Sequence, residues 1–210
     1  MTRILIADDH AIVRSGLKGI LLRELEGVIC GEAEHAQEVL SQVRSQQWDL
    51  VILDVTMPGR SGLDILKDLK KLRPNLPVLF LSVHPEDQLG KRALKAGASG
   101  YMNKETAPEE LIKAIRKVLA GGLYVSATLA EKLALDLSAK TEQLLHERLS
   151  DRELEVLLMI ASGLTVSQIA EKLFLSVTTV STYRTRILEK MNMTTTAELM
   201  HYALSNHLVD

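Results

Sequence analysis

The chain has one cysteine, Cys30, among 210 residues. It sits in the apolar run Val28-Ile29-Cys30 and reads as a packing residue, and a disulfide framework within one chain is excluded. Long hydrophobic runs are also missing. No stretch reaches the roughly 18 apolar residues that a membrane span needs, so no membrane association is expected. At the N-terminus the apolar stretch Ile4–Ala7 is too short for a signal peptide, and Asp8 and Asp9 follow at once. The cytoplasm is the expected compartment. Excess positive charge is the third absence: the formal net charge is −2. Residues 148–210 carry six Lys/Arg against seven Asp/Glu. Charge therefore gives no support to nucleic-acid binding, which must be argued from local pattern. No low-complexity tract or fixed-period repeat is present. What remains is 46% hydrophobic and 25% charged, a globular composition sufficient for one large or two modest domains.

Strand-like and helix-like segments alternate through the first 120 residues. The strand-like runs are Ile4–Ala7, Val28–Gly31, Leu50–Asp54, Val78–Ser82 and Gly100–Met102. Between them, apolar residues recur at spacings of three and four, as in Ile65, Leu66, Leu69 and Leu72, or Leu111, Ile112, Ile115, Val118 and Leu119. Strands that are apolar throughout, joined by helices, indicate a parallel sheet covered on both faces. Five such units fit a doubly wound, flavodoxin-like α/β domain over residues 1–121, closed by Gly121-Gly122. Residues 122–147 read as a linker with one amphipathic helix (Leu129, Leu133, Leu135, Leu137) and a polar tail at 138–143.

From Leu149 the pattern is wholly helical, predicting a small all-α, four-helix domain over 148–210. Ser150-Asp151-Arg152-Glu153 is a capping box, and the helix it opens stops at Gly163. Thr165-Val166-Ser167-Gln168 opens a second, short helix through about Leu173. A Phe174-Leu175 turn leads to Ser176, the N-cap of a third helix through about Met191, and Thr195-Thr196-Ala197-Glu198 caps a fourth. Two helices joined by a short turn within such a unit form a helix-turn-helix.

In a doubly wound sheet, chemistry gathers at the carboxyl ends of the strands. There the first strand delivers Asp8 and Asp9, the third Asp54, the fourth Ser82 and the fifth Lys104. Clustered carboxylates repel unless a cation shares the site, and an oxygen-only cluster with room for water suits Mg²⁺. Such a cation also neutralises a phosphoryl group arriving at an Asp54 oxygen. Ser82 can hydrogen-bond a phosphoryl oxygen, and Lys104 supplies a fixed positive charge. A single strand-end acid is usually a loop residue or cap; the joint placement favours an acceptor site.

Asp8-Asp9, Asp54 followed by Met57-Pro58-Gly59, Leu81-Ser82 and Lys104 resemble the receiver domain of two-component response regulators over residues 3–120. The resemblance implies that Asp8 and Asp9 hold Mg²⁺ together with Asp54 and the main-chain carbonyl of Thr56. It implies a partner histidine kinase that donates a phosphoryl group to Asp54, and a receiver that largely catalyses its own phosphorylation and dephosphorylation. Ser82 and Tyr101 occupy the family's switch positions; the structural alternative for Tyr101 is a half-buried ring near a domain edge. His84, two residues past Ser82, would tune water access.

Projected at about 100° per residue, the third helix places Val177, Val180, Ile187, Leu188 and Met191 toward a core. Thr178, Ser181, Thr182 and Thr185 fall opposite, flanked by Arg186 and Lys190. Small hydroxyl side chains let a helix lie deep in a major groove while cations reach phosphates. A merely solvated face is the rival reading. Leu149-Ser150-x-Arg152-Glu153-x-Glu155-Val156-Leu157, Gly163-Leu164-Thr165, Ile169-Ala170-x-x-Leu173 and Thr179-Val180-Ser181-Thr182-Tyr183 are similar to the LuxR-type domain of the NarL/FixJ class, over 146–208. By that resemblance, 181, 182 and 185 align with base-reading positions. Many relatives carry lysine at 181 and histidine at 183, where this chain has Ser181 and Tyr183. Arg184 lies beside the apolar stripe, so its stem can pack while its head reaches a phosphate.

Together the two resemblances imply a transcription regulator, not a conventional enzyme, that binds double-stranded DNA as a homodimer on inverted or direct half-sites and acts on RNA polymerase. Phosphorylation would release or dimerise the DNA-binding domain. In the fourth helix, Leu199, Met200, Ala203 and Leu204 would form the dimer seam, bury against the other helices, or both. Two alternatives are a phosphohydrolase working through an aspartyl-phosphate and a constitutive DNA binder that uses its receiver only to dimerise.

Overall fold

The computed structural model describes residues 1–83, 86–104, 106–138, 144–206 and 208–209. It divides into two compact units, Met1–Ala139 and Lys140–Asp210. In the first unit five strands form one parallel sheet: β1 (Thr2–Ala7), β2 (Val28–Ala33), β3 (Leu50–Asp54), β4 (Val78–Ser82) and β5 (Gly100–Asn103). Their order is β2-β1-β3-β4-β5, so the chain reverses direction across the sheet beside β1 and β3. Three strands run longer than their apolar residues suggest, β5 by the single residue Asn103. β1 and β2 pair from Thr2 with Val28 to Ala7 with Ala33, so main-chain hydrogen bonds carry polar Thr2 and Glu32 into the ladder.

Helices α1 (Ala11–Glu24) and α5 (Pro108–Leu119) cover one face; Leu17, Leu21, Leu111, Ile112 and Ile115 pack there against Ile4, Ile6, Ile52 and Leu79. The strand residues between those, Leu5, Val51, Leu53 and Phe80, are also fully buried, so both faces are covered. The buried residues of α2 (Ala36–Ser45) and α3 (Gly62–Leu72), such as Val39, Val43, Ile65 and Leu69, complete this core. Helix α4 (Glu86–Lys95) follows β4. α5 starts on Pro108 with Glu109 and Glu110 in its first turn, and Gly121 ends it in the left-handed region (φ 83°). Helix α6 (Ala127–Ser138) lies within the stretch expected to be a linker; it packs against α4 and buries Leu129. Beyond Ser138, the expected polar tail falls outside the described residues.

The second unit opens with a 3-10 turn, Leu145–Arg148, followed by α7 (Asp151–Ala161), α8 (Val166–Lys172), α9 (Val177–Met191) and α10 (Thr196–Ser205). All three capping boxes form, at Ser150, Thr165 and Thr195. Ser176 caps α9 by accepting from the Thr179 N–H at 3.0 Å. Ile169, Leu173, Val180, Ile187, Met191, Leu199 and Ala203 are buried along with most of α7. Within α7, Arg152 and Glu155 are also buried and pair at 2.6 Å; Arg152 donates further to the Leu173 carbonyl, fastening the end of α8.

Val177 departs from its expected place. It is 51% exposed, not core, while Leu188 is half-buried. A helical projection assigns a side but not a depth along the axis, and Val177 is the first residue of α9.

Between β3 and α3 the chain makes a two-residue hairpin, Thr56–Met57 against Arg60–Ser61, with Gly59 at φ 73°. Gly62 then returns its N–H to the Val55 carbonyl at 2.6 Å. A Cβ on Gly62 would collide with the Asp54 carbonyl oxygen and approach Val55 Cα to 2.8 Å, both backbone atoms. Gly62→Ala should therefore displace the loop after β3 and cost about 2–4 kcal/mol, measured by urea denaturation of the full chain. A loss under about 0.5 kcal/mol would show the loop to be free to move.

Candidate functional site

Because every strand of the sheet runs in one direction, the carboxyl ends of β1, β3, β4 and β5 lie along one edge. Asp8 and Asp54 are buried there, 2% and 4% exposed, and Ser82 is fully buried. The Lys104 N–H donates to the Ser82 carbonyl at 2.7 Å, which extends the β4–β5 ladder by one step and aims the lysine along the edge. Its ammonium reaches Asp8 Oδ2 at 2.6 Å and Asp54 Oδ2 at 2.7 Å. Asp54 Oδ1 accepts from the Thr56 N–H at 3.2 Å. Asp8 Oδ1 accepts from the His10 N–H at 2.8 Å, and Arg14 donates to the Asp8 carbonyl.

Sequence reasoning did not single out His10. Its ring Nδ1 lies 3.3 Å from Asp8 Oδ1 and 2.8 Å from Asp9 Oδ1. The shorter approach lacks hydrogen-bond geometry, so Asp9 Oδ1 is buried without a hydrogen-bond partner. One carboxylate oxygen each of Asp8, Asp9 and Asp54 and a ring nitrogen of His10 lie within 4.8 Å of one another. Its place directly after two acids was the available signal. A second acid–histidine group, Glu34, His35 and Glu38, is a helix start: His35 Nδ1 accepts from the Glu38 N–H and caps α2.

Burial pushes the Asp54 carboxyl up to about 6; neighbouring Asp8 adds to this, and Lys104 opposes it. For Lys104, burial works against the charged form, but Asp54 and Asp8 outweigh it and hold the ammonium above the ordinary lysine value. The two partners thus pull apart: the lysine gains from the contact while the Asp54 carboxylate still pays for its burial. One ammonium divided between two buried acids accounts for both directions.

Tyr101 is fully buried, with its ring 6.3 Å from that of Phe80, so it is not a half-buried ring at an edge. His84 lies outside the described residues.

In the second unit Thr178, Thr182 and Thr185 are exposed and Ser181 is half-buried, along one side of α9. Arg186 is exposed; Arg184 is half-buried, and its guanidinium Nε is buried without a hydrogen-bond partner. Lys190 is engaged elsewhere: its ammonium meets Glu153 Oε2 at 2.6 Å, the same oxygen that accepts from the Ser150 N–H at 2.7 Å. Burial raises Glu153, but Lys190 and the Ser150 contacts overcome it and keep the carboxyl below its usual range. This contact joins α7 to α9 across 37 positions, a separation no spacing rule covers. In α10, Leu199 and Ala203 are buried, Met200 is half-buried and Leu204 is 49% exposed.

A lysine-bridged acidic edge on a doubly wound sheet, followed by a helix-turn-helix, defines a regulator with an input and an output domain. Residues 4–116 match the response regulator receiver domain, and residues 147–203 match the bacterial regulatory proteins of the luxR family. The chain belongs to the response regulators, in the NarL/FixJ class. It is 38% identical to the response regulator GacA of Pseudomonas aeruginosa, over 100% of this chain and 99% of that one. Response regulator UvrY of Escherichia coli K12 is 35% identical over 99% of this chain and 96% of that one. Among solved structures, RcsB of Salmonella enterica serovar Typhimurium bound to promoter rprA with the phosphomimetic BeF₃⁻ is 28% identical, with a TM-score of 0.66 over 96% of this chain and 97% of that one. This membership sets aside the phosphohydrolase alternative, since the family is not one of conventional enzymes. Among the described residues, no helix is long and apolar enough to cross a membrane.

The linkage for Asp54 has a definite sign. Its folded-state pKa lies above the ordinary 3.8, so the folded state binds more protons between about 4 and 6 and stability falls as pH rises through that window. In chelator above pH 7, Asp54→Asn should therefore be more stable than wild type, by up to about 3 kcal/mol. The gap should close as pH falls from 6 toward 4. Thermal unfolding monitored by circular dichroism checks this; a less stable Asn variant at pH 8 would refute the burial account.

Proposed function

We propose that Asp54 is the phosphoacceptor and that its phosphorylation controls DNA binding by the helix-turn-helix unit. The supporting observation is the Lys104 ammonium held at 2.6 and 2.7 Å from Asp8 and Asp54. This brings the input residues of three strands to one point.

The donor set fits Mg²⁺. Carboxylates of Asp8, Asp9 and Asp54 and the main-chain carbonyl of Thr56 would hold it, all hard oxygens. The buried Asp9 Oδ1 that lacks a hydrogen-bond partner supports this fit. When bound, the ion neutralises the carboxylates and the phosphoryl oxygens. An Asp54 oxygen attacks the phosphorus of a phosphohistidine on a partner histidine kinase. The O–P bond forms as the P–N bond breaks, and the imidazole leaves with the electron pair. Lys104, drawn from the carboxylates, pairs with a phosphoryl oxygen, and the Ser82 hydroxyl donates to another. In the separate dephosphorylation step a water oxygen attacks phosphorus and gives up a proton, the O–P bond to Asp54 breaks, its carboxylate leaves with the electron pair, and inorganic phosphate is released. The chain promotes these steps on itself only. Ser82 and Tyr101 act as the switch: a hydroxyl drawn toward the phosphoryl group at the end of β4 is followed by repacking of the fully buried Tyr101 ring on the neighbouring strand.

For output, α9 enters the major groove with Thr178, Ser181, Thr182 and Thr185 toward the bases, and Arg184 and Arg186 toward phosphates. Lys190 holds α9 on α7 through Glu153, and its side chain, 42% exposed, can also reach a phosphate. So small a unit needs a homodimer on inverted or direct half-sites, and the exposed Leu204 with Met200 supplies the seam. RNA polymerase is the downstream partner, and the cytoplasm is where kinase, DNA and polymerase meet.

Treatment with acetyl phosphate should tighten binding to a selected duplex by about tenfold or more in fluorescence anisotropy, and Asp54→Asn should abolish the response. Equal binding before and after treatment would sink the control mechanism. Separately, EDTA should stop phosphate incorporation at Asp54, measured by intact mass, and excess Mg²⁺ should restore it. Incorporation that survives chelation would rule out the metal site.

A further inference from the structure

The recognition face of α9 differs in chemistry from the usual guanine reader. Bidentate readout of guanine comes from Arg or Lys, and of adenine from Asn or Gln. None of these types stands at 177, 178, 181, 182 or 185. The hydroxyls that replace them are partly engaged. Thr182 Oγ1 donates to the Thr178 carbonyl at 2.9 Å, and Thr185 Oγ1 donates to the Ser181 carbonyl at 3.1 Å. A threonine bonded back to its own helix has given up its one donor. Its exposed side then offers lone pairs and a methyl group. At the start of the helix, which goes deepest into a groove, Val177 is 51% exposed, and its two methyls lie at that leading end beside the hydroxyl stripe. About half of the Val177 surface is open to solvent at the leading end of α9, so its methyls are accessible to a ligand.

Apolar contact with the C5-methyl of thymine is the contact that the methyl groups of this surface can make, and no other base carries that group in the major groove. We infer that α9 reads thymine methyl groups, through Val177, Thr182 and Thr185. This rests on the DNA-binding reading above and specifies what that interface recognises. The acceptor lone pairs of Thr182 and Thr185 suit the amino hydrogens of an adjacent adenine or cytosine, so the threonines can complement a thymine and its neighbour together.

The test uses the full chain treated with acetyl phosphate and a pool of random duplex DNA. The enriched duplex is resynthesised with each thymine replaced in turn by uracil, which removes only the methyl. At least one thymine in each half-site should lose about fourfold in affinity, the value of one buried methyl. Val177→Ala should erase this sensitivity at one position, and Thr182→Ser or Thr185→Ser at another. Thr182→Val, which keeps methyls and lacks the hydroxyl, should retain it. All these positions are on the surface, so folding is not at stake. Affinity indifferent to uracil throughout would overturn the inference while leaving DNA binding intact. So would uracil sensitivity unchanged in all three methyl-removing variants, or lost in Thr182→Val. Failure to enrich any duplex would overturn the DNA-binding reading itself, and this inference with it.

Discussion

One ammonium between two buried carboxylates is the constraint on which the first unit depends. Asp8 and Asp54 sit at adjacent strand ends with almost no solvent contact, a placement that two anions tolerate only with a cation between them. Lys104 supplies it from the fifth strand, and its own N–H bond to Ser82 fixes the direction of approach. The compensation is incomplete, as the raised Asp54 carboxyl shows. That residual cost fits the proposed role: a site already neutral and satisfied would have little reason to accept the divalent ion and the phosphoryl group proposed for it.

The sheet and the helix-turn-helix were legible because their signals are local and redundant. Strands buried on both faces are apolar throughout, so Leu50–Asp54 and Val78–Ser82 could be read to the residue. Capping boxes require specific atoms three positions apart, and all three formed as their spacing demands. The gathering of Asp8, Asp54 and Lys104 was legible for a different reason: in a parallel sheet every strand end lies on one edge, and only a handful of those ends bear charged side chains.

What escaped the sequence depends on distance along an axis or between elements. Val177 has the right side of α9 for the core but lies at its leading end. Lys190 has the right charge for a phosphate but finds Glu153, whose carboxylate was known to cap α7 and had acceptor sites to spare. His10 was hidden by its position, since a histidine after two acids carries no periodic signal and declares itself only when its ring meets Asp8. Tyr101 followed its strand into the core beside Phe80, farther than the short run Gly100–Met102 suggested.

These misses bear on how a domain of net negative charge can engage DNA. Its output face was expected to owe its hold to cations at its flanks, and Lys190 shares its charge with Glu153 in an ion pair within the unit. Fewer phosphate contacts mean a weaker salt-dependent, sequence-independent attraction. A monomer then has little hold on arbitrary DNA, and affinity must come from base contacts and from two half-sites engaged together. Weak general attraction makes such a domain sensitive to dimerisation, because the second half-site contributes a large share of the total. The poverty of positive charge that argued against DNA binding at the outset is thus what would let a phosphoryl group on Asp54 decide whether binding occurs.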